Sequence, residues 1–208
     1  MFFVFDGVDG AGKSTQLNLF SGWLTDNGRD VVTCKDPGTT KLGEQLRSLL
    51  LGDHQTSIDM RSEMMMFMAA RAQLVAEVVR PALEAGKTVV CDRYVFSTVV
   101  YQGHAGDLDP SEIWKVNHAA TGGLMADLTF ILDLDVDVSL ERVGESRDRM
   151  ESRGRKYFDK VRSGFLDEAE RWPQGVEVVS ATGTPEKIQT EIRKLAEKHM
   201  ALIQGEPS

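Results

Sequence analysis

The chain contains only two cysteines, Cys34 and Cys91, and four histidines that lack the spacing of a metal site. Two thiols are too few for a disulfide framework, so we expect buried free thiols in a reducing compartment. We expect the histidines at the surface or in hydrogen-bonded positions. No apolar run approaches membrane-spanning length, and no signal peptide precedes the first apolar run. These absences predict a cytoplasmic protein without a membrane partner.

Positive charge is also scarce, because 24 Lys and Arg residues face 32 Asp and Glu residues, for a net charge of −8. Such a chain lacks the basic footprint of a nucleic-acid-binding protein, so we expect no nucleic-acid partner. A small anionic ligand remains compatible with this charge, since it needs only local positive groups. The 208 residues suit one domain with a full core, and no linker or repeat divides residues 1–208.

The most informative motif is Gly-Val-Asp-Gly-Ala-Gly-Lys-Ser at residues 7–14, which matches the phosphate-binding loop G-x-x-x-x-G-K-[ST]. An apolar run precedes it, and helical apolar spacing follows it. Backbone N–H groups and the helix N-terminus would hold the phosphates. Lys13 would reach the β- and γ-phosphates, and the Ser14 hydroxyl would bind Mg²⁺. The expected phosphate-binding residues are Gly7, Val8, Asp9, Gly10, Ala11, Gly12, Lys13, Ser14 and Thr15.

Five short apolar runs alternate with helical patterns. The runs are predicted strands at residues 2–5, 31–34, 88–91, 128–132 and 176–179. One long helix is expected over residues 58–85, with a bend near Pro81. This alternation predicts an α/β fold with three layers, in which a five-stranded parallel sheet carries helices on both faces. Ligands of such sheets bind beyond the carboxyl ends of the strands, where residues 7–14, 35–40 and 92–93 are expected.

The ordered motifs resemble those of the thymidylate kinases, a branch of the P-loop nucleoside-monophosphate kinases. The most specific match combines Phe67-x-x-x-Arg71 with Asp92-Arg93-Tyr94. The matching stretches follow the family's order over nearly the whole chain. The resemblance implies transfer of the ATP γ-phosphoryl group to dTMP in dTTP synthesis, with Mg²⁺ as cofactor and a homodimer as the assembly. The dTMP-binding residues that it implies are Asp9, Pro37, Arg47, Phe67, Arg71, Arg93, Ser97, Tyr101 and Gln102.

Phe67 and Arg71 are four residues apart on one predicted helix, so they share a face. Phe67 could stack on a base while Arg71 donates to its edge. The sequence pattern alone equally allows Phe67 in the core and Arg71 in solvent. The resemblance favours the base site.

Arg47 and Arg93 resemble the family's clamp for the acceptor phosphate, because an arginine fork binds phosphate oxygens bidentately. The alternatives are a surface charge for Arg47 and an ion pair with Asp92 for Arg93. Asp9 is expected to serve the acceptor's 3′-hydroxyl or water-bound Mg²⁺. Ser14, Asp9 and Asp92 are therefore the candidate metal-site residues.

An arginine-rich segment at residues 145–156 is interpreted as a short lid that closes over ATP, although a solvated loop is the simpler alternative. Gly10 stands where some family members have an arginine in the phosphate loop. We therefore expect the transition-state arginine to come from the lid, with Arg149 first and Arg153 and Arg147 next. Together with Lys13, Arg93 and Asp9, Arg149 and Arg153 form the expected catalytic set.

Residues of the loop after the second predicted strand depart from the family's usual pattern. Asp36 stands where the family usually has Glu, and Lys35 where Arg is usual, which could change how this loop supports the sugar and phosphate site.

The alternative functions are another nucleotide kinase, a slow nucleotide-dependent switch, and a fold relative without catalysis. No Asn-Lys-x-Asp motif for guanine recognition is present.

Overall fold

The computed structural model describes residues 1–52, 57–143 and 153–204. Its centre is a five-stranded sheet in the order β2-β3-β1-β4-β5, and every neighbouring pair is parallel. The strands are β1 (Phe2–Gly7), β2 (Val31–Lys35), β3 (Thr88–Asp92), β4 (Leu128–Asp133) and β5 (Val176–Ser180). The predicted α/β fold is confirmed, and each strand extends one or two residues beyond its predicted end.

Helices pack around this sheet. They are α1 (Lys13–Asp26), α2 (Lys41–Leu51), α3 (Met60–Leu74), α4 (Arg80–Glu84), α5 (Val95–Thr98), α6 (Pro110–Thr121), α7 (Val136–Val143), α8 (Arg155–Arg171) and α9 (Pro185–Gln204). Among the described residues, no helix is long and apolar enough to cross a membrane.

The long helix predicted over residues 58–85 is interrupted. A π-helical turn at Val75–Val79 separates α3 from α4, and Pro81 lies in the first turn of α4. Proline has no N–H, so the carbonyl of Glu77 loses its α-helical partner, and the wider π turn lies where that bond is missing. A second π turn, Val99–His104, follows α5 and carries two predicted site residues, Tyr101 and Gln102.

Strand β1 is buried along its whole length because it lies between β3 and β4. On one face, Phe3 and Phe5 pack against Phe20 of α1, with ring centroids 5.1 and 5.6 Å apart, and Phe5 contacts Phe130 at 5.2 Å. Each fully buried aromatic side chain of this kind contributes about 2–3 kcal/mol. The packing fixes the strand from which the phosphate loop leaves.

The strand order changes direction beside β1. The chain passes from β1 to the outer strand β2, returns to β3, and then crosses to β4. Phe5 is in register with Asp92, so the ends of β1 and β3 lie side by side. Ligands of open α/β sheets bind at such a switch point. The fold thus brings the loop after β1 next to the residues that follow β3.

Candidate active site

The phosphate loop joins β1 to α1 through glycines with backbone conformations that other residues rarely adopt. Gly7 has φ +127°, and a Cβ there would lie 2.5 Å from the backbone oxygen of Leu132. Gly12 caps α1 in the left-handed region at φ 89°. The helix therefore begins at Lys13, with its N-terminal N–H groups at the loop, which is the geometry that an anion site requires.

Lys13 is buried beneath the loop. Its Nζ donates to the backbone oxygens of Val8 at 2.8 Å and Gly7 at 3.2 Å, and lies 3.9 Å from Asp9 Oδ1. Burial lowers the pKa of Lys13 to about 8, and repulsion from Arg93 adds to the shift. The ammonium group is therefore held at the predicted phosphate site and titrates near neutral pH.

Arg93 directly follows β3 and has φ 67°, an unusual conformation for a side chain of this size. One guanidinium nitrogen donates to Gly7 O at 3.1 Å and to Ser97 Oγ at 3.0 Å. The other donates to the Asp9 carboxylate. The pairing of Arg93 with Asp92 that we considered from the sequence does not form. Arg93 instead links the phosphate loop to the segment after β3.

Asp9 is held between two donors. Its Oδ1 accepts from Arg93, and its Oδ2 accepts from the Tyr101 hydroxyl at 2.9 Å. Burial by itself would raise the pKa of Asp9, but the charges of Arg93 and Lys13 and the Tyr101 hydrogen bond outweigh it and hold the pKa below its usual value. Asp9 is therefore an ionised carboxylate fixed at the edge of the loop.

Asp6 is a site residue that the sequence reasoning missed. It is fully buried at the end of β1, and it accepts from Ser97 Oγ at 2.6 Å, from Ser97 N at 3.2 Å and from Arg93 at 3.5 Å. Burial raises the pKa of this carboxyl, and Arg93 opposes the rise. A carboxylate directly after an apolar strand and before a phosphate loop was the available sequence signal.

Ser14 and Asp92 lie together, as expected of metal-site residues. Ser14 Oγ donates to Asp92 Oδ2 at 2.9 Å, and the buried Asp92 Oδ1 has no hydrogen-bond partner in the described ranges. Among the described residues, no group of three or more His, Cys, Asp or Glu side chains is arranged so that it could hold a metal ion. One hydroxyl and one carboxylate fit Mg²⁺, which usually takes few protein ligands and completes its shell with water and substrate phosphates.

A cavity beside the phosphate loop is lined by all nine predicted dTMP-binding residues and by three others. Phe67 is half-buried on its wall, and Arg47 Nη1 donates to Pro37 O at 3.1 Å. The lining residues are Asp9, Asp36, Pro37, Arg47, Leu51, Phe67, Arg71, Arg93, Ser97, Thr98, Tyr101 and Gln102. Of these, Asp36, Leu51 and Thr98 are not among the nine predicted dTMP-binding residues.

Arg71 reaches this cavity but is almost fully buried, with 1% of its surface exposed. Its Nε donates to Asp36 Oδ2 and its Nη2 donates to Thr98 Oγ1 at 2.9 Å. Further bonds run from Nη1 to the Asn117 side chain and from Nη2 to Tyr94 O. Nη1 also lies 3.7 Å from Met68 Sδ. Each of the three guanidinium nitrogens thus donates within the protein, so a base-edge contact requires Arg71 to share a donor. Its base-binding role stays a prediction.

Asp36 is the buried counter-ion of Arg71. Burial raises the pKa of this carboxyl, while the Arg71 charge opposes the rise. Its Oδ1 has no hydrogen-bond partner among the residues that the structure describes. Asp36 therefore holds in place Arg71, the side chain that is predicted to meet the edge of the base.

Of the three predicted lid arginines, Arg147 and Arg149 lie outside the described residues. Arg153 lies just before α8 and donates through Nη2 to both oxygens of Glu63, at 3.0 and 2.7 Å. Its Nη1 donates to the Tyr157 hydroxyl at 2.9 Å. The Arg153 side chain thus contacts α3 through Glu63 and α8 through Tyr157. Its expected transition-state role stays a prediction.

Comparisons with known proteins agree on one family. A family model described as thymidylate kinase matches residues 5–192. The chain is 43% identical to a thymidylate kinase of Symbiobacterium thermophilum, over 95% of this chain and 93% of the relative. It is 40% identical to one of Desulfovibrio desulfuricans, over 96% of each chain. The crystal structure of thymidylate kinase from Ehrlichia chaffeensis matches with a TM-score of 0.77 and 31% identity, covering 94% of this chain and 98% of that one.

Proposed function

Because this chain belongs to the thymidylate kinase family, we propose that it transfers the γ-phosphoryl group of ATP to the 5′-phosphate of dTMP. The products are dTDP and ADP. The observation that carries the proposal is the position of Arg93, which lines the acceptor cavity and also bonds the phosphate loop at Gly7 and Asp9. One guanidinium group is thereby available to both the donor and the acceptor phosphates.

The acceptor monophosphate is proposed to bind between Arg47 and Arg93. Both side chains line the cavity, and guanidinium groups bind phosphate oxygens in a fixed bidentate geometry. The backbone of Arg93 follows a buried strand, and Asp6 and Asp9 hold its side chain. This preorganisation supports a role in positioning the acceptor phosphate.

The base is proposed to stack on Phe67, a half-buried aromatic side chain on the cavity wall. Four further side chains line the same cavity, namely Arg71, Ser97, Tyr101 and Gln102. We propose that Arg71 and Gln102 meet the edge of the base and that Tyr101 and Ser97 contact the sugar. Stacking on one aromatic side chain is worth about 1–3 kcal/mol. A cavity with one aromatic wall and polar edge groups suits a single pyrimidine nucleotide.

Mg²⁺ is proposed to be held by Ser14 and Asp92, together with the phosphates of ATP. When bound, the ion neutralises charge on the β- and γ-phosphate oxygens. Lys13 adds a second positive charge beneath the loop, and Arg93 adds a third from the acceptor side. Asp9 keeps Arg93 in place and is available to the acceptor's 3′-hydroxyl.

The reaction needs positioning and charge neutralisation more than proton transfer. The attacking phosphate oxygen of dTMP is already anionic near neutral pH, so no strong general base is required. Fixed donors around the transferring group would stabilise the charge that spreads over its oxygens. Arg149 is proposed as the further transition-state arginine, and the homodimer stays a prediction that a mass measurement in solution tests.

The proposal is tested by ADP formation from Mg·ATP with dTMP, dUMP, dCMP, AMP and GMP as separate acceptors. A strong preference for dTMP is expected. A preference for another monophosphate would retain the phosphate chemistry and reject the thymine pocket. ATP loss that is independent of any acceptor would reject the kinase assignment.

A further inference from the structure

We infer that Glu63, held by Arg153, is a positioning residue that turns the Gln102 amide so that its carbonyl oxygen meets an N–H donor on the nucleotide base. This inference deepens the proposed function, on which it rests, by naming what sets the choice of base. Glu63 is not among the residues expected to touch substrate or phosphate, and its contact with Gln102 has no role in the site proposed above.

The first step is the orientation of the amide. Gln102 Nε2 lies 2.8 Å from Glu63 Oε1, and both side chains are buried. An ionised carboxylate can only accept hydrogen bonds, so the NH₂ end of the amide must face Glu63. The two ends of the amide are therefore distinguished by chemistry, and the carbonyl end points elsewhere.

The second step is the place of that carbonyl. Gln102 is one of the cavity-lining residues, and no donor to its Oε1 is present in the described part of the chain. A buried acceptor without a donor from the protein favours a ligand group that donates and disfavours one that accepts. Thymine and uracil present an imide N3–H donor, whereas cytosine presents a lone pair at N3. The fixed amide therefore favours the first two bases.

The third step is how Glu63 stays in place. A buried carboxylate needs a partner, and Arg153 supplies one with Nη2 at 3.0 and 2.7 Å from its two oxygens. Arg153 is itself braced by Tyr157, whose hydroxyl donates to the backbone oxygen of Tyr101 at 2.6 Å. The brace thus ends on the residue next to Gln102. The side chains of Glu63, Arg153 and Tyr157, which do not line the cavity, thus fix the amide of Gln102, which does.

The test is equilibrium binding of dTMP, dUMP and dCMP, measured by calorimetry without ATP. In Glu63→Gln, the neighbour of Gln102 becomes an amide that can donate or accept, so the Gln102 amide is free to turn. We expect affinity for dTMP and for dUMP to fall about tenfold, with dCMP within about threefold of wild type. A general structural defect would weaken all three equally, and that result, or no change, would overturn the inference.

A double-mutant cycle checks that Glu63 acts through Gln102. Gln102→Met removes the carbonyl, so adding Glu63→Gln to it should change the dTMP-to-dCMP affinity ratio by less than about twofold. Additive losses would contradict the inference. Glu191→Gln, an exposed glutamate on α9, is the matched control and should bind all three nucleotides as wild type does.

If Glu63→Gln does not fold, Arg153→Met tests the same Arg153–Glu63 pair by removing the guanidinium group instead. Glu63 would then lose its two hydrogen bonds from this guanidinium, which loosens its hold on the Gln102 amide. The dTMP-to-dCMP ratio should again fall, and an unchanged ratio would overturn the inference. Because no ATP is used, preferential dTMP binding without phosphoryl transfer would support the inference while rejecting the kinase proposal. Equal binding of dCMP and dTMP by the wild type would overturn the inference even if transfer occurs.

Discussion

Lys13 is expected to take up a proton when Mg·ATP binds. In the ligand-free protein its pKa is about 8, since burial and the nearby Arg93 disfavour the charged form. Phosphate oxygens next to the ammonium favour the charged form and must raise this pKa. Binding is therefore linked to protonation, and the sign is uptake, not release.

The size of the uptake follows from the starting pKa. At pH 8 about half of the free protein carries a neutral Lys13, so binding should take up about half a proton per site. At pH 7 only about a tenth is neutral, so uptake should fall to about a tenth of a proton. At pH 9 it should approach about 0.9. Apparent affinity for Mg·ATP should weaken correspondingly as the pH rises above 8.

The assay is calorimetry of Mg·ATP binding at each pH in two buffers of different ionisation enthalpy. The slope of the observed enthalpy against the buffer enthalpy gives the protons taken up. Lys13→Met should bind more weakly and lose the uptake, whereas Lys87→Met, at an exposed ion pair with Asp30, should keep it. An uptake that stays near zero at pH 8 and 9, or that survives in Lys13→Met, would refute the reasoning.

Three further outcomes are expected. Asp36→Ala leaves the Arg71 charge buried without its counter-ion, so the free energy of unfolding in urea should fall by about 3–5 kcal/mol; a loss below about 1 kcal/mol would contradict the buried pair. Phe67→Ala should weaken dTMP binding by about 10- to 100-fold in calorimetry, with little change for Mg·ATP, and equal losses for both ligands would argue against stacking. Gly7→Ala forces a Cβ to within 2.5 Å of a backbone oxygen and should destabilise the fold by about 2 kcal/mol or more, whereas Gly28→Ala, with open space around its Cβ, should lose only about 1 kcal/mol; similar losses would contradict the contact.

The sequence was sufficient for the sheet and for the phosphate loop, because both depend on local patterns. Apolar runs mark buried parallel strands, and the glycine spacing of residues 7–14 has few other uses. The cavity residues also came together as expected. Asp9, Pro37 and Arg93 follow the carboxyl ends of neighbouring strands, and the helical segments after β2 and β3 supply the others. The expected α/β fold with its five-stranded parallel sheet is confirmed, while the roles of single side chains stay predictions.

What the sequence could not supply were the partners of buried charges. The sequence pattern does not single out Asp6, and it places Asp36 only in the loop after the second strand. The fold alone shows that each of them pairs with an arginine. Glu63 lies in the long helix expected over residues 58–85, and only the fold shows that it is buried against Arg153. Such pairs join elements that are distant along the chain, so no local pattern records them. The π turn at Val75–Val79 was missed for a related reason, because helical periodicity does not distinguish it from α-helix.

The most direct test of the proposed phosphoryl transfer follows the γ-phosphate of ATP. The enzyme is incubated with Mg²⁺ and [γ-³²P]ATP, with and without dTMP, and the labelled products are separated. The account predicts label in dTDP only when dTMP is present, and little label in inorganic phosphate. Label that appears in inorganic phosphate at the same rate with or without dTMP would contradict it.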